Sequence, residues 1–215
     1  MTAPNATRSA RPRDAASLVI TRGSGVDASV LLGRREPRDR FLPDMYVFPG
    51  GRVDPTDADR PAASELRVEV AGRMAWSGAR SRALAVACVR ETYEETGLAF
   101  GELTDDGLQP ALHHLEYVGR AITPNNNPIR YHASFFHASA DAASGDLLSN
   151  GELLDLAWRR FHAALELPML DVTNYLLRVV AKRVGHLAGD ELPECTPEST
   201  PFIHYRRMER YIRYE

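Results

Sequence analysis

The sequence predicts an α+β fold in which a mixed β-sheet lies between helices. Three observations point there. Short β-rich runs recur along the chain, one long helical stretch interrupts them, and the two kinds of element mix without a regular strand–helix alternation. The 215 residues suggest one domain able to bury a sizeable core. Apolar residues make up 44% and charged residues 26%, an ordinary balance for a globular chain. Twenty-six basic against 29 acidic residues leave −3, which excludes a chain built mainly to grip nucleic acid. No apolar run approaches the roughly 18 residues of a membrane span. The amino terminus carries no signal-peptide core, so a cytoplasmic protein with no membrane partner is expected. Two cysteines, Cys88 and Cys195, make neither a disulfide framework nor a zinc spacing.

In chain order, residues 1–14 are polar, with Arg8, Arg11 and Arg13, and read as a disordered tail. A domain is expected over 15–190 and an extension over 191–215. Ser17 to Thr21 and Ser29 to Leu32 are β-rich runs joined by a Gly23-Ser-Gly25 turn, a hairpin. A charged loop from Arg34 to Asp44 leads to Met45–Phe48, an apolar strand stopped by Pro49, Gly50 and Gly51. Asp54 to Asp59 is turn-like, and Pro61 to about Val70 suits a short helix with proline in its first turn. Ser81 to Thr96 is free of proline and glycine for 16 residues and is followed by Gly97, where a left-handed cap belongs. Leu108, Leu112 and Leu115 space another short helix. Tyr117–Ile122 and Ile129–Ala138 read as strands around a Pro/Asn loop, and Leu153–Trp158 as a further strand. Phe161–Leu167 and Val172–Leu187 read as helices. From Leu192 the chain is proline-rich, then aromatic and basic.

The chemistry concentrates in Arg90-Glu91-Thr-Tyr-Glu94-Glu95-Thr-Gly97. On a helix the three carboxylates share a face. Like charges at that spacing cost a few tenths of a kcal/mol per pair. Near a helix carboxyl end each costs roughly 0.3–1 kcal/mol more. Such local rule-breaking marks functional sites, and a divalent cation would relieve it, magnesium preferring hard oxygen ligands. Upstream, Gly50 and Gly51 let backbone approach a phosphate, and Arg34, Arg35, Arg38 and Arg40 offer guanidinium forks.

Gly51, Arg90, Glu91, Glu94, Glu95, Gly97 and Leu98 resemble the Nudix box, G-x5-E-x7-R-E-U-x-E-E-x-G-U. Thr92 stands for an aliphatic residue. Gly51 and Arg90 are 39 positions apart where the box has 14, so about 25 residues, roughly 54–78, are inserted. Arg82 stands where the box glutamate would precede Arg90 by eight, which makes Glu65 or Glu69 the candidate replacement. Leu31-Leu-Gly-Arg34-Arg35 through Arg40 to Phe48-Pro-Gly-Gly51 resembles the CoA-pyrophosphatase signature, with Gly33, Glu36 and Asp44 as departures. The chain therefore looks like the CoA diphosphatase-like subfamily with an interrupted box. The resemblance implies an α/β/α sandwich, a magnesium or manganese cofactor held by Glu91, Glu94 and Glu95, and catalytic roles for Arg90, which orients a carboxylate, and Glu94. Arg34, Arg35, Arg40, Phe48, Gly50 and Gly51 would bind substrate. Glu152, six residues before Trp158, is the candidate general base. The implied reaction is hydrolysis of CoA or acyl-CoA to 3′,5′-ADP and phosphopantetheine. The alternatives are an ADP-ribose or NADH pyrophosphatase and, from another class, a non-catalytic Nudix-fold binding module. A homodimer is a further expectation.

Other features read as structural. His132 and His137, five apart in a strand, face opposite sides; His113 and His114, adjacent in a helix, diverge. Cys88, Phe135, Phe136 and Tyr131 read as core, with base stacking open to one of the aromatics. Trp76 reads as packing, and Arg206 to Tyr214 as an amphipathic surface element or an interface arm.

Overall fold

The computed structural model describes residues 10–39, 42–187, 199–206 and 209–215. Residues 1–9 of the expected tail, Arg40 and Cys195 lie outside these ranges. The central strand is β1 (Arg13–Arg22), which starts earlier than Ser17. Its Leu18-Val19-Ile20 run is fully buried because both faces are covered. Leu18 and Ile20 point into one core and Val19 into the other. β2 (Ser29–Arg35) and β4 (Gly50–Arg52) pair with β1, and β3 (Tyr46–Val47) pairs with β2. After α1 (Val68–Gly72) comes α2 (Gly78–Thr96). A small hairpin, β5 (Gly101–Thr104) and β6 (Gly107–Pro110), precedes β7 (Glu116–Ile122) and β8 (Tyr131–Ser139). β9 (Leu153–Arg160), α3 (Phe161–Leu165), α4 (Asp171–Arg183), β10 (Pro201–Arg206) and β11 (Glu209–Tyr214) complete the chain.

Nine strands form one sheet in the order β11-β10-β7-β8-β1-β2-β3, with β4 on β1 and β9 on β2. β1–β8 and β10–β7 are parallel and the other pairs antiparallel, so the sheet is mixed as expected. α2 covers one face and α3 with α4 the other. The partner of β1 changes along its length. Thr21 and Arg22 pair with β2, whereas Ala15 to Ser17 pair with Gly50 to Arg52 of β4. The sheet therefore forks beside β1, and the carboxyl end of α2 meets that fork through its packing on β1 and β4.

Several local expectations are corrected. Residues 61–67 are not helical; Ser64 bridges to Ala111 and only Val68–Gly72 forms α1. The inserted segment is knitted into the fold, its Val70 and Met74 being buried in the α2-side core. α2 begins at Gly78, ahead of Ser81, and ends as expected: Gly97 adopts φ 74° and its N–H donates to Tyr93 O at 2.8 Å. The leucines at 108, 112 and 115 lie on β6 and a 3-10 turn rather than one helix. In that turn the His113 and His114 rings sit 3.7 Å apart instead of diverging. The basic, aromatic end of the chain is a β-hairpin added to the sheet edge. Among the described residues no helix is long and apolar enough to cross a membrane.

Candidate active site

The site is built on the last two turns of α2. From Ala83 to Val89 every residue of this helix is buried, alanines allowing close approach to the sheet. Arg90 continues inward and is 6% exposed. All five of its N–H donors are used. Nε and Nη2 form a fork on Asp57 (3.0 and 3.1 Å), Nη2 also reaches Arg52 O (3.0 Å), and Nη1 reaches Glu91 (3.0 Å) and Glu94 (3.2 Å). Asp57 has no solvent exposure, and its Oδ2 also accepts the Asp54 N–H at 2.7 Å. Burial works against the Arg90 charge, but the hydrogen bonds and charges of Asp57 and Glu91 outweigh it and hold the guanidinium protonated.

Asp57 is the carboxylate that counting backward from Arg90 missed. Counting forward finds it: Asp57 follows Gly51 by six, the spacing of the box acid from its glycine. The extra residues thus fall after Asp57. Arg82, at the backward-counted position, instead staples them to α2. It binds Glu65 through Nε and Nη2 at 2.9 Å, and the carbonyls of Ala58 (2.8 Å) and Arg60 (2.9 Å). Glu65 is held in that fork, and neither Glu65 nor Glu69 lines the site cavity.

A cavity of about 570 Å³ opens at the fork of the sheet. Of the expected site residues it brings together Glu91, Glu95, Glu152, Arg35, Phe48 and the Gly50–Gly51 backbone. Gly51 has no side chain, and a Cβ there would overlap the Glu91 carboxyl. Gly50 is in the positive-φ region at 148°, and its N–H donates to Glu95 Oε2 at 2.8 Å. Burial raises the Glu91 pKa, Arg90 opposes it, and Glu94 and Asp54 add to it. Burial also pushes Glu95 up to about 8, opposed by the Gly50 N–H and reinforced by Glu91 and Glu152. These carboxylates therefore repel one another across a partly dry space, and their donors are all hard oxygens. That fits magnesium or manganese, which take few protein carboxylates and complete their shell with water and phosphate oxygens. Among the described residues, no three acidic, histidine or cysteine side chains converge tightly enough to enclose an ion unaided.

Three expected residues stand elsewhere. Glu94 is half-exposed, tied to Arg90, and does not line the cavity. Arg34 turns to Asp44 at 2.6 Å, also off the cavity. Arg90 lies behind the carboxylates rather than among them. Beyond the acidic end, Phe135 meets Phe48 edge-on with ring centroids 6.5 Å apart, and Tyr131 joins the lining, whereas Phe136 is core on the other face. Asp171 and Tyr205 also line the cavity, and no local pattern singled them out.

The NUDIX domain family matches residues 11–178. A search of curated proteins found no match. Among solved structures, a NUDIX hydrolase from Alicyclobacillus acidocaldarius is 27% identical with a TM-score of 0.61, over 83% of this chain and 99% of that one. A MutT NUDIX hydrolase from Burkholderia pseudomallei is 20% identical with a TM-score of 0.51, over 80% and 99%. The NUDIX domain of Shewanella oneidensis NrtR complexed with ADP ribose is 12% identical with a TM-score of 0.52, over 81% and 89%. The last two share the fold alone. With the family matching residues 11–178, most of its length, this chain belongs to the Nudix family.

Proposed function

We propose that this Nudix hydrolase cleaves the pyrophosphate linkage of CoA or acyl-CoA, releasing 3′,5′-ADP and phosphopantetheine or its acyl form. The observation that carries a pyrophosphatase reading is the meeting of Glu91, Glu95 and Glu152 in one cavity floored by Gly50 and Gly51. The CoA assignment is supported by the Leu31 to Gly51 pattern, whose Arg35 and Phe48 both line that cavity.

Glu91 and Glu95 are the proposed ligands of magnesium or manganese. Glu94 is the third, because its half-exposed tie to Arg90 is worth little and is readily exchanged for an ion. Bound there, the cation would neutralise charge developing on the phosphates and lower the pKa of the attacking water. Arg90, anchored by Asp57, holds the Glu91 carboxyl against Gly51. Glu152 takes the proton of the attacking water. A new P–O bond forms to that water oxygen, the anhydride P–O bond breaks, and the electron pair leaves with the departing phosphate. Arg35 offers its guanidinium to the departing charge.

The test is incubation with Mn2+ and a panel of CoA, acetyl-CoA, ADP-ribose and NADH, with products identified by phosphorus NMR. Release of 3′,5′-ADP from CoA is the expected result. Cleavage of ADP-ribose or NADH alone would replace the substrate assignment and keep the chemistry. Glu95→Gln should lower the rate at least ~10²-fold while the fold is retained, by analogy with losing one electrostatic stabiliser. No turnover in wild type would overturn the enzymatic reading.

A further inference from the structure

We propose that the C-terminal hairpin completes the substrate pocket, and that Asp171, held by Tyr205, recognises a hydrogen-bond-donating group on the moiety attached to the diphosphate. The proposal rests on the carboxylate end of the cavity being the diphosphate site. Tyr205 belongs to β10, beyond the 11–178 family match, yet it lines the cavity.

The hairpin is fixed as a wall. β10 runs parallel to β7 through Phe202 and Ile203, and Glu215 takes a fork from Arg120 at 2.6 and 3.1 Å. The Tyr214 and Tyr175 hydroxyls meet at 2.6 Å, joining β11 to α4. From β4 the sheet passes through β1, β8 and β7 to β10. Four strand spacings put the Gly50–Gly51 turn and the Tyr205 rim roughly 19 Å apart. The floor between them is small: Ala15 and Ser17 on β1, Ala133 on β8, Ala121 on β7. A diphosphate held at Glu91 and Glu95 therefore directs its attached group along this trough, past the edges of Phe48 and Phe135, toward Asp171.

The chemistry at that rim is one-sided. Asp171 Oδ1 accepts the Tyr205 hydroxyl at 2.6 Å and the Val172 N–H at 2.8 Å. Among the described residues, the ion pair of Oδ2 is with Arg210 at 3.7 Å, outside hydrogen-bond reach. A carboxylate only accepts, so Oδ2 suits an amine or a hydroxyl. Burial and the Asp171 carboxylate raise the Tyr205 pKa, which keeps its hydroxyl a donor that orients Asp171.

The experiment is isothermal titration, with Mn2+ present, of ADP, IDP, 2′-deoxy-ADP and inorganic pyrophosphate into wild type, Asp171→Asn and Tyr205→Phe. Asp171→Asn should weaken ADP about tenfold, the loss of a hydrogen bond to a charged group, and leave pyrophosphate unchanged. Tyr205→Phe should produce the same pattern at about threefold. A loss confined to ADP and 2′-deoxy-ADP identifies the base amine as the donor. A loss shared by ADP and IDP but absent for 2′-deoxy-ADP identifies the sugar hydroxyl. Undiminished ADP binding in both variants, equal loss for pyrophosphate, or wild type binding ADP no tighter than pyrophosphate would each overturn the proposal. Wild type binding no diphosphate at all would overturn instead the reading on which it rests.

Discussion

A single carboxylate, Asp57, holds the centre of the site. It is fully buried, and Arg90, 33 residues later, forks onto it. Removing it strips the buried guanidinium of its two-oxygen partner and leaves Glu91 and Glu94 as its hydrogen-bonded counter-charges, at a cost of about 3 kcal/mol. Asp57→Ala should therefore lose about that much in urea unfolding, or roughly 6 to 12 °C in Tm for a chain of this size. The Mn2+-dependent rate should fall too, because Arg90 then no longer positions Glu91. Gly51→Ala tests a different residue-scale constraint. Its Cβ would displace the Glu91 carboxyl. The expected outcome is at least a tenfold loss of kcat with Tm shifted by only a few degrees, since misplacing a catalytic group costs rate before stability. Asp57 was legible only from the glycine side of the box. From the arginine side, the insertion put Arg82 at the expected position.

At the scale of elements, α2 and the forked sheet work together. α2 supplies Glu91 and Glu95 near its carboxyl end, where the helix dipole and mutual repulsion oppose their charge. Burial weighs more: it pushes Glu95 up to about 8 from an ordinary 4.5, with Glu91 and Glu152 adding to it. Folding thus favours its protonated form. The sign follows from linkage: the native state binds the extra proton between pH 4.5 and 8, so Glu95 costs stability increasingly as pH rises through that window. Glu95→Gln removes that cost. Its Tm should exceed that of wild type by a margin larger at pH 9 than at pH 5 without metal, measured by differential scanning fluorimetry, while Mn2+ should raise Tm in wild type alone. The helix itself was legible, because an uninterrupted stretch closed by Gly97 is a local signal. The fork was not. The pairing with Ser29–Val30 is the expected hairpin, but the other half of β1 is taken by the distant segment Gly50–Arg52, which β1's own sequence does not announce.

Across the whole molecule, the two sheet faces carry two differently placed histidines. Burial and then Arg120 lower His132 to about 4, and burial and then Arg183 lower His137 to about 4. Both folded values lie below the unfolded 6.5, so each contributes stability that is complete above pH 6.5 and lost as pH falls toward 4. His137, which shares a hydrogen bond of 2.8 Å with Thr21, is the cleaner test. The stability of wild type minus that of His137→Asn should shrink by about 2 kcal/mol between pH 7 and pH 4.5 in urea titrations; a constant difference would exclude the histidine as its source. The opposite facing of these side chains was readable from strand periodicity. So were the mixed sheet, the central β1 run, α2 and the acidic cluster, because hydrophobic period, caps and carboxylate spacing act over a few residues. Tertiary structure alone decided that Asp57 backs Arg90, that Arg34 and Glu94 turn from the cavity while Glu152 joins it, and that Tyr205 and Asp171 form its rim. The Asp57–Arg90 and Asp171–Tyr205 pairings join segments 33 and 34 residues apart, and sheet order, rather than any local pattern, sets which of them meet.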